Sequence, residues 1–378
     1  MSALGLYIHV PFCRRKCNYC DFVSYPYDAA AASRYLQTLA QEIRLRAARL
    51  GGKAAIGSIY LGGGTPTCLG AAAIESIFEF VARHFTVLPG TEITVEANPE
   101  TLNPELLRAL HLAGVNRLSI GMQAANDTEL RFLGRGHTFR RVVEAVEWAR
   151  RAGFTNLNLD LIFGLPGQRL KDWEKTLKEA LALGPEHISA YDLEIHPETP
   201  LGRAVAAGAY ACCPEEEARE MYLMAIDCLT AAGYRHYEIS NFALPGKECR
   251  HNRLYWVGEP YLGLGPAAHS YLEHRRWANV AALQDYCDLV AGGKLPVAEE
   301  HALTPAEEMS EALFLGLRLT AGVSLSGFAA RFGRRPEAVY GREISRLVAQ
   351  GLLCREGDLL RLTRTALPVA NVVFAAFV

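Results

Sequence analysis

Cys13, Cys17 and Cys20 stand within eight residues, spaced C-x3-C-x2-C. Thiols this close in sequence meet at one centre only if the loop between them curls around it. Arg14, Arg15, Lys16 and Asn18 lie in that loop and favour thiolate over thiol. Three donors are one short of a closed site: structural zinc and electron-transfer iron–sulfur clusters normally take four protein ligands, whereas a centre that must bind something else keeps a position free. The alternative is a zinc knuckle completed by a remote Cys or His. Zinc pairs usually repeat C-x2-C, and no second C-x2-C occurs.

The elements that must carry this loop follow from the periodicity. Between residues 5 and 195, apolar runs of strand length alternate with helical stretches, the pattern of βα units around a parallel sheet. Strands are predicted at 6–10, 58–61, 92–96, 117–121, 157–163 and 187–193. Helices are predicted at 29–50, 71–84, 104–113, 139–152 and 170–183. Asn103, Pro104 and Glu105 supply a capping side chain, a proline in the first turn and an acid near the positive helix end. Six units cannot close an eight-stranded barrel, so the expected fold class is α/β, a partial (β/α)6 barrel with a wide mouth.

Active sites of such barrels form at the carboxyl ends of the strands. Here those ends carry the cysteines, then Gly62-Gly63-Gly64-Thr65, then Glu96, then Gly121-Met122-Gln123, and Asp160 within the fifth strand. Each alone has a plain structural reading as a turn or a satisfied polar group. Together they turn polar or glycine positions toward one rim, and an unpartnered buried carboxylate would cost several kcal/mol.

The spacing of the cysteines directly after a first strand resembles the radical S-adenosylmethionine (SAM) superfamily. The longer stretch from Tyr7 to Phe22 resembles its oxygen-independent coproporphyrinogen oxidase group, and most closely the HemW heme-chaperone branch. The resemblance implies that Cys13, Cys17 and Cys20 hold a [4Fe-4S] cluster whose fourth iron is chelated by SAM. It implies that Gly63, Gly64, Thr65 and Glu96 hold this SAM, that Tyr7 and Tyr19 lie beside it, and that Gln123, Arg135 and Asp160 surround a second SAM. His251-Asn252-Arg253-Leu254-Tyr255-Trp256 matches the segment associated with heme binding, which makes His251 the expected axial ligand. From the residues alone, a single histidine in a polar-aromatic loop is more often a surface or hydrogen-bonded group.

Two function classes follow. One is a carrier that binds heme and hands it to an acceptor protein, the other an enzyme that oxidatively decarboxylates coproporphyrinogen III. The enzyme branch has a further cysteine two positions after the third, where Phe22 stands here, and a long arm before the first strand, where only a few residues precede Tyr7. Both departures favour the carrier. The resemblance further implies a cytoplasmic protein, a homodimer, and a membrane-bound respiratory protein as acceptor.

Composition agrees with this restraint. Half of the 378 residues are hydrophobic, the net charge is −2, and the ten cysteines include seven scattered ones, which fits a reducing compartment rather than a disulfide framework. No clustered basic excess supports nucleic-acid binding. No export signal is read at the amino terminus. The expected division is 1–232 for the barrel, 233–303 for a heme-motif extension and connector, and 304–378 for a small winged-helix-like domain. That last unit opens on the capping box Thr304-Pro305-Ala306-Glu307, ends in a hairpin about Glu356-Gly357-Asp358, and is expected to act as a lid or docking module.

Overall fold

Alternate residues of the first strand take opposite faces, and their burial sorts them: Leu6, Ile8 and Val10 are sealed under helices, while Gly5, Tyr7 and His9 face a lumen. The computed structural model describes residues 3–51 and 54–378. Six parallel strands follow in sequence order: β1 (Leu4–Val10), β2 (Ala55–Gly63), β3 (Thr86–Ala97), β4 (Arg117–Gln123), β5 (Leu157–Phe163) and β6 (His187–Asp192). All six predicted strands are present. Neighbours lie in register as Tyr7 with Tyr60, Glu96 with Ser119, and Asp160 with Ser189. Their outward residues meet the inner faces of helices α1 (Ala29–Arg49), α2 (Ala71–His84), α3 (Pro104–Leu112), α5 (Phe139–Arg151) and α6 (Leu170–Ala182), forming one core. Asn103 caps α3 as expected, its side chain accepting from Leu106 N. Two short helices, α4 (Asp127–Phe132) and α7 (Pro200–Ala206), were not predicted, being too brief to show a periodic face.

The sheet does not stop at six strands. A seventh parallel strand, Tyr261–Leu264, pairs with the free edge of β1 and leads into antiparallel strands at His269–Leu272, Arg275–Asn279 and Val297–Ala302. At the other edge, residues 234–241, whose pattern predicts one strand, form part of a hairpin. Arg235–Glu238 turns at Ile239-Ser240 into Asn241–Ala243, which pairs antiparallel with β6. Residues 233–303 therefore extend the sheet at both edges.

The segment read as a polar-aromatic loop, 249–256, is instead a helix, α9 (Arg250–Val257), closed by Gly258 in the left-handed conformation. Its amphipathic signal is weak because its one fully buried side chain is a histidine, while Arg250, Arg253 and Val257 are exposed. Helix α8 (Glu215–Ala231) packs outside the barrel on α6.

The C-terminal unit has its own core of Leu313, Leu317, Phe328, Leu347, Leu360 and Val373. Its capping box forms, with Thr304 and Glu307 each bonding the other's backbone. Helices Pro305–Gly316, Leu325–Phe332 and Glu337–Ala349 precede the hairpin Leu353–Glu356 and Leu359–Leu362, to which Val323–Ser324 adds a third strand. The apolar tail is the packed end of this unit, with Ala366, Ala370, Val373 and Phe377 buried. Among the described residues, no helix is long and apolar enough to cross a membrane.

Candidate functional site

The cysteine loop springs from β1 at the mouth of the barrel and is pinned at both ends. His9 Nε2 lies 2.8 Å from the carbonyl of Val23, and Tyr25 N and Tyr27 N donate to the carbonyls of Pro11 and Cys13. Its middle is held by Asn18, whose backbone and side-chain nitrogens donate to Leu133 O (3.0 Å) and Phe132 O (2.8 Å), while Leu201 N donates to Asn18 O. Cys13, Cys17 and Cys20 are free thiols, half-buried. The expectation that the basic residues of the loop favour thiolate is corrected here. Arg14 reaches away to Glu100 O and Lys16 to Phe22 O; burial raises the Cys13 thiol and pushes Cys20 up to about 11, outweighing the charge of Lys16, which lowers Cys20. A coordinating metal reverses that balance, deprotonating the thiol outright.

Among the described residues, no three His, Cys, Asp or Glu side chains close on a single-ion site, the cysteine trio included. A cluster asks for something different, since each cysteine takes its own iron and the sulfurs need not meet at a point. Three free thiols with charge coupling among them fit that demand.

Beside the loop, the glycine run folds back on the protein. A Cβ on Gly62 would lie 2.9 Å from the Glu96 carboxylate, one on Gly63 would lie 2.3 Å from the His9 ring, and one on Gly64 would lie 2.6 Å from Phe12 O. Gly63 N donates to Glu96 (3.0 Å), and Thr65 Oγ1 donates to Cys13 Sγ (3.5 Å). Glu96 also accepts from Tyr60 Oη (2.8 Å). Burial and the nearby charge of Asp160 push its carboxyl up to about 7. Asp160 accepts from Ser119 Oγ (3.0 Å) and Asn158 Nδ2 (2.8 Å), and burial raises it too. Both acids are partnered, but by neutral donors, so neither has a counter-ion within hydrogen-bonding distance. A cationic or proton-bearing ligand between them would supply one.

Gln123 sits at the rim with φ +67°, in the left-handed region that a non-glycine residue rarely occupies, where β4 breaks register with β5. Arg135 lies against Gly121, donating to Gly121 O (3.0 Å) and to Cys17 Sγ (3.4 Å), while its Nε is buried without a partner. Tyr7 Oη and His9 Nδ1 are 3.1 Å apart, and the Tyr7 ring packs on Tyr60. Tyr19 rests in a small apolar cluster with Leu133, Ile162 and Leu165, with its hydroxyl under the influence of Arg135. The structure thus brings Tyr7, Tyr19, Gly63, Gly64, Thr65, Glu96, Gln123, Arg135, Asp160 and the three cysteines to one end of the barrel.

His251 lies one ring below them, its imidazole centroid 5.3 Å from that of Tyr60, whose hydroxyl donates to Glu96. It enters the lumen from the opposite end on α9, 1% exposed, near Gly5 and Ser58 at the start of β1 and β2. Both ring nitrogens are engaged, Nδ1 with Ser58 Oγ (2.8 Å) and Nε2 with Tyr255 Oη (2.8 Å), and burial pushes the imidazolium down to about 3. Glu92 docks the helix start, accepting from Arg250 N (3.1 Å) and His251 N (3.0 Å), and Arg117 is buried beside it. Glu92, Tyr60 and Gly5 were not singled out in the sequence. Tyr60 and Glu92 were legible as inward positions of alternating strands. For Gly5 the reason is a contact, since a Cβ there would lie 2.6 Å from Leu254 Cδ1. Trp256 faces the C-terminal unit instead, with the Arg318 guanidinium 4.2 Å above its ring.

Residues 7–180 match the radical SAM superfamily, and residues 303–369 match the HemN C-terminal domain. The chain is 39% identical to the heme chaperone HemW of Bacillus subtilis over 98% of both chains. It is 38% identical to the HemW of Mycobacterium tuberculosis over 98% of this chain and 93% of that one. It is 34% identical to the bovine mitochondrial radical S-adenosyl methionine domain-containing protein 1, over 97% of this chain and 85% of that one. The solved coproporphyrinogen III oxidase HemN of Escherichia coli superposes with a TM-score of 0.89 over 99% of this chain and 90% of that one; at 24% identity the likeness speaks for the fold alone. With the cysteine loop, the strand-end residues and the C-terminal unit all inside one end-to-end alignment, the chain belongs to the HemW family of the radical SAM superfamily.

Proposed function

We propose that this protein binds heme and passes it to an acceptor protein, on a barrel whose mouth holds a [4Fe-4S] cluster and SAM. The observation that carries the reading is the match to proteins named heme chaperones, which runs through the barrel, α9 and the C-terminal unit alike. Phe22 is 62% exposed at the mouth, where the enzyme branch has its additional cysteine, and this supports a carrier over a decarboxylase.

At the mouth, Cys13, Cys17 and Cys20 would hold the cluster. Glu96, with Gly63, Gly64 and Thr65, would take the first SAM beside Tyr7 and Tyr19. Gln123, Arg135 and Asp160 would surround a second. When bound, a reduced cluster and a sulfonium together supply one-electron chemistry. The protein's own part is to place neutral hydroxyl and amide donors on two acids, to hold a guanidinium with one free N–H, and to keep the glycine backbone bare.

For heme we propose the His251–Trp256 segment, with a correction to how it acts. Neither nitrogen of His251 is free, so the imidazole reaches iron only after the bond on one of them opens, to Tyr255 at Nε2 or to Ser58 at Nδ1, while the other bond can hold the ring. Each such bond contributes about 0.5–1.5 kcal/mol, which heme ligation must offset. The cytoplasmic location, the membrane-bound respiratory acceptor and the homodimer rest on the resemblance alone.

The test is anaerobic reconstitution followed by two parallel assays. Transfer of bound heme to an apo-acceptor, without loss of coproporphyrinogen III, is the expected result. SAM-consuming conversion of coproporphyrinogen III to protoporphyrinogen IX would establish the enzyme instead. An unchanged heme spectrum and affinity in His251→Ala would remove His251 from the proposal.

A further inference from the structure

The geometry points to a second role for Arg135: we propose that its hydrogen bond to Cys17 Sγ sets how readily the iron–sulfur centre accepts an electron. This rests on the reading that the three cysteines hold a cluster. Among the described residues, no other cation hydrogen-bonds a sulfur of this trio. Nη1 lies 3.4 Å from Cys17 Sγ, and Nη2 is fixed 3.0 Å from Gly121 O.

One close approach bears on that guanidinium and two on the loop that carries it. A Cβ on Gly121 would lie 2.8 Å from both Arg135 Nη2 and Gln123 Nε2, so a side chain there shifts the guanidinium from its place along β4. Gly134, at φ +76°, brings the loop onto the cysteines, where a Cβ would meet Asn18 at 2.9 Å. On the far side, a Cβ on Gly136 would lie 2.1 Å from Glu100 Oε2. The loop is thereby bound to the cysteine loop itself, through Asn18 and the carbonyls of Phe132 and Leu133. A cation held only to bind a substrate carboxylate has no need of a bond to a cluster ligand.

Hydrogen bonds to the sulfurs and local charge set the potential of iron–sulfur centres. A fixed positive charge and an N–H on one ligand sulfur favour the reduced form, which carries one more negative charge. Lysine cannot reproduce the fork that reaches Cys17 and Gly121 at once.

The experiment is a redox titration, followed by electron paramagnetic resonance, of the full chain reconstituted anaerobically without SAM. R135Q is expected to retain the iron and sulfide content of the unsubstituted protein. Its oxidised-to-reduced ratio at fixed potential should rise about tenfold, equivalent to about 59 mV for a one-electron couple. R135K should fall between the two. Should R135Q fail to retain a cluster, G121A carries the same readout, because it displaces the guanidinium and leaves the residue in place. A cluster that assembles with an unchanged potential in these variants overturns the role of Arg135. An unsubstituted chain that assembles no cluster overturns the underlying reading instead.

Discussion

The two ends of the barrel lumen are built from the same kinds of residue and treat them oppositely. At the floor, the histidines and the acid are matched, although Arg117 Nε is not: His251 and His187 each have both ring nitrogens bonded, and Glu92 accepts from two backbone N–H groups. At the mouth, three thiols are free, Arg135 keeps an unpartnered Nε, Gln123 is held in a disfavoured conformation, and two acids have only neutral donors. Unspent hydrogen-bonding capacity and backbone strain collect where ligands bind, because a ligand supplies the missing partners. The difference teaches that the mouth is prepared for occupants and the floor is closed, although the resemblance ascribes ligands to both.

The comparison breaks most visibly at the cysteines. Cys17→Ala should abolish the reconstituted cluster, with iron falling to background, and leave thermal unfolding nearly unchanged; a variant that retained full iron would show that the mouth is not the metal site. Next in size is Glu92→Ala. Removing the acid strands the buried Arg117 and the N-terminal donors of α9, and should cost about 3–5 kcal/mol by urea denaturation. A cost below 1 kcal/mol would mean that the floor is not sealed by this contact.

His251→Ala leaves Ser58 Oγ and Tyr255 Oη without their partner. It should destabilise the protein by about 1–3 kcal/mol. If it instead costs nothing, the imidazole is not a structural part of the floor.

The smallest effect is in the pH profile, where the two ends have opposite signs. Glu96, raised from 4.5 to about 7 by burial and by Asp160, stays protonated in the folded chain where the unfolded chain has released its proton. Its contribution therefore falls as pH rises through that window, and Glu96→Gln should flatten the loss. His251, lowered from 6.5 to about 3 by burial and by the charge of Arg117, stays neutral where the unfolded chain takes up a proton. Its contribution falls as pH drops below 6.5, and His251→Ala should flatten that arm. Chemical denaturation at pH 5, 6.5 and 8 measures both slopes, and the reverse assignment of slopes to variants would contradict the burial described.

Much of the barrel was legible because its signals are local. Strand and helix periodicity, Asn103-Pro104-Glu105 and the Thr304–Glu307 box act over a few residues, and each formed where the residues indicated. The cysteine spacing was equally local. The inward residues Glu96 and Asp160 could be read from strand level, since every barrel strand ends at the same rim.

Helix α9 was misread as a loop because its surroundings come from far away in the chain. Gly5, Ser58 and Glu92 lie some 160 to 250 residues earlier, and a buried face made by a polar histidine gives no apolar stripe to mark a helix. The seventh parallel strand was hidden for the same reason, as an addition to the edge of an existing sheet, and the strand read at 234–241 did not show its turn. By itself the sequence determined which thiols stand close enough along the chain to share a centre and which runs form the six barrel strands, because spacing and short-range periodicity suffice for both. The tertiary structure alone decided that His251 faces inward with both nitrogens occupied and that Arg135 rests on Cys17. Those facts depend on which distant residues share a lumen, and no spacing along the chain encodes that.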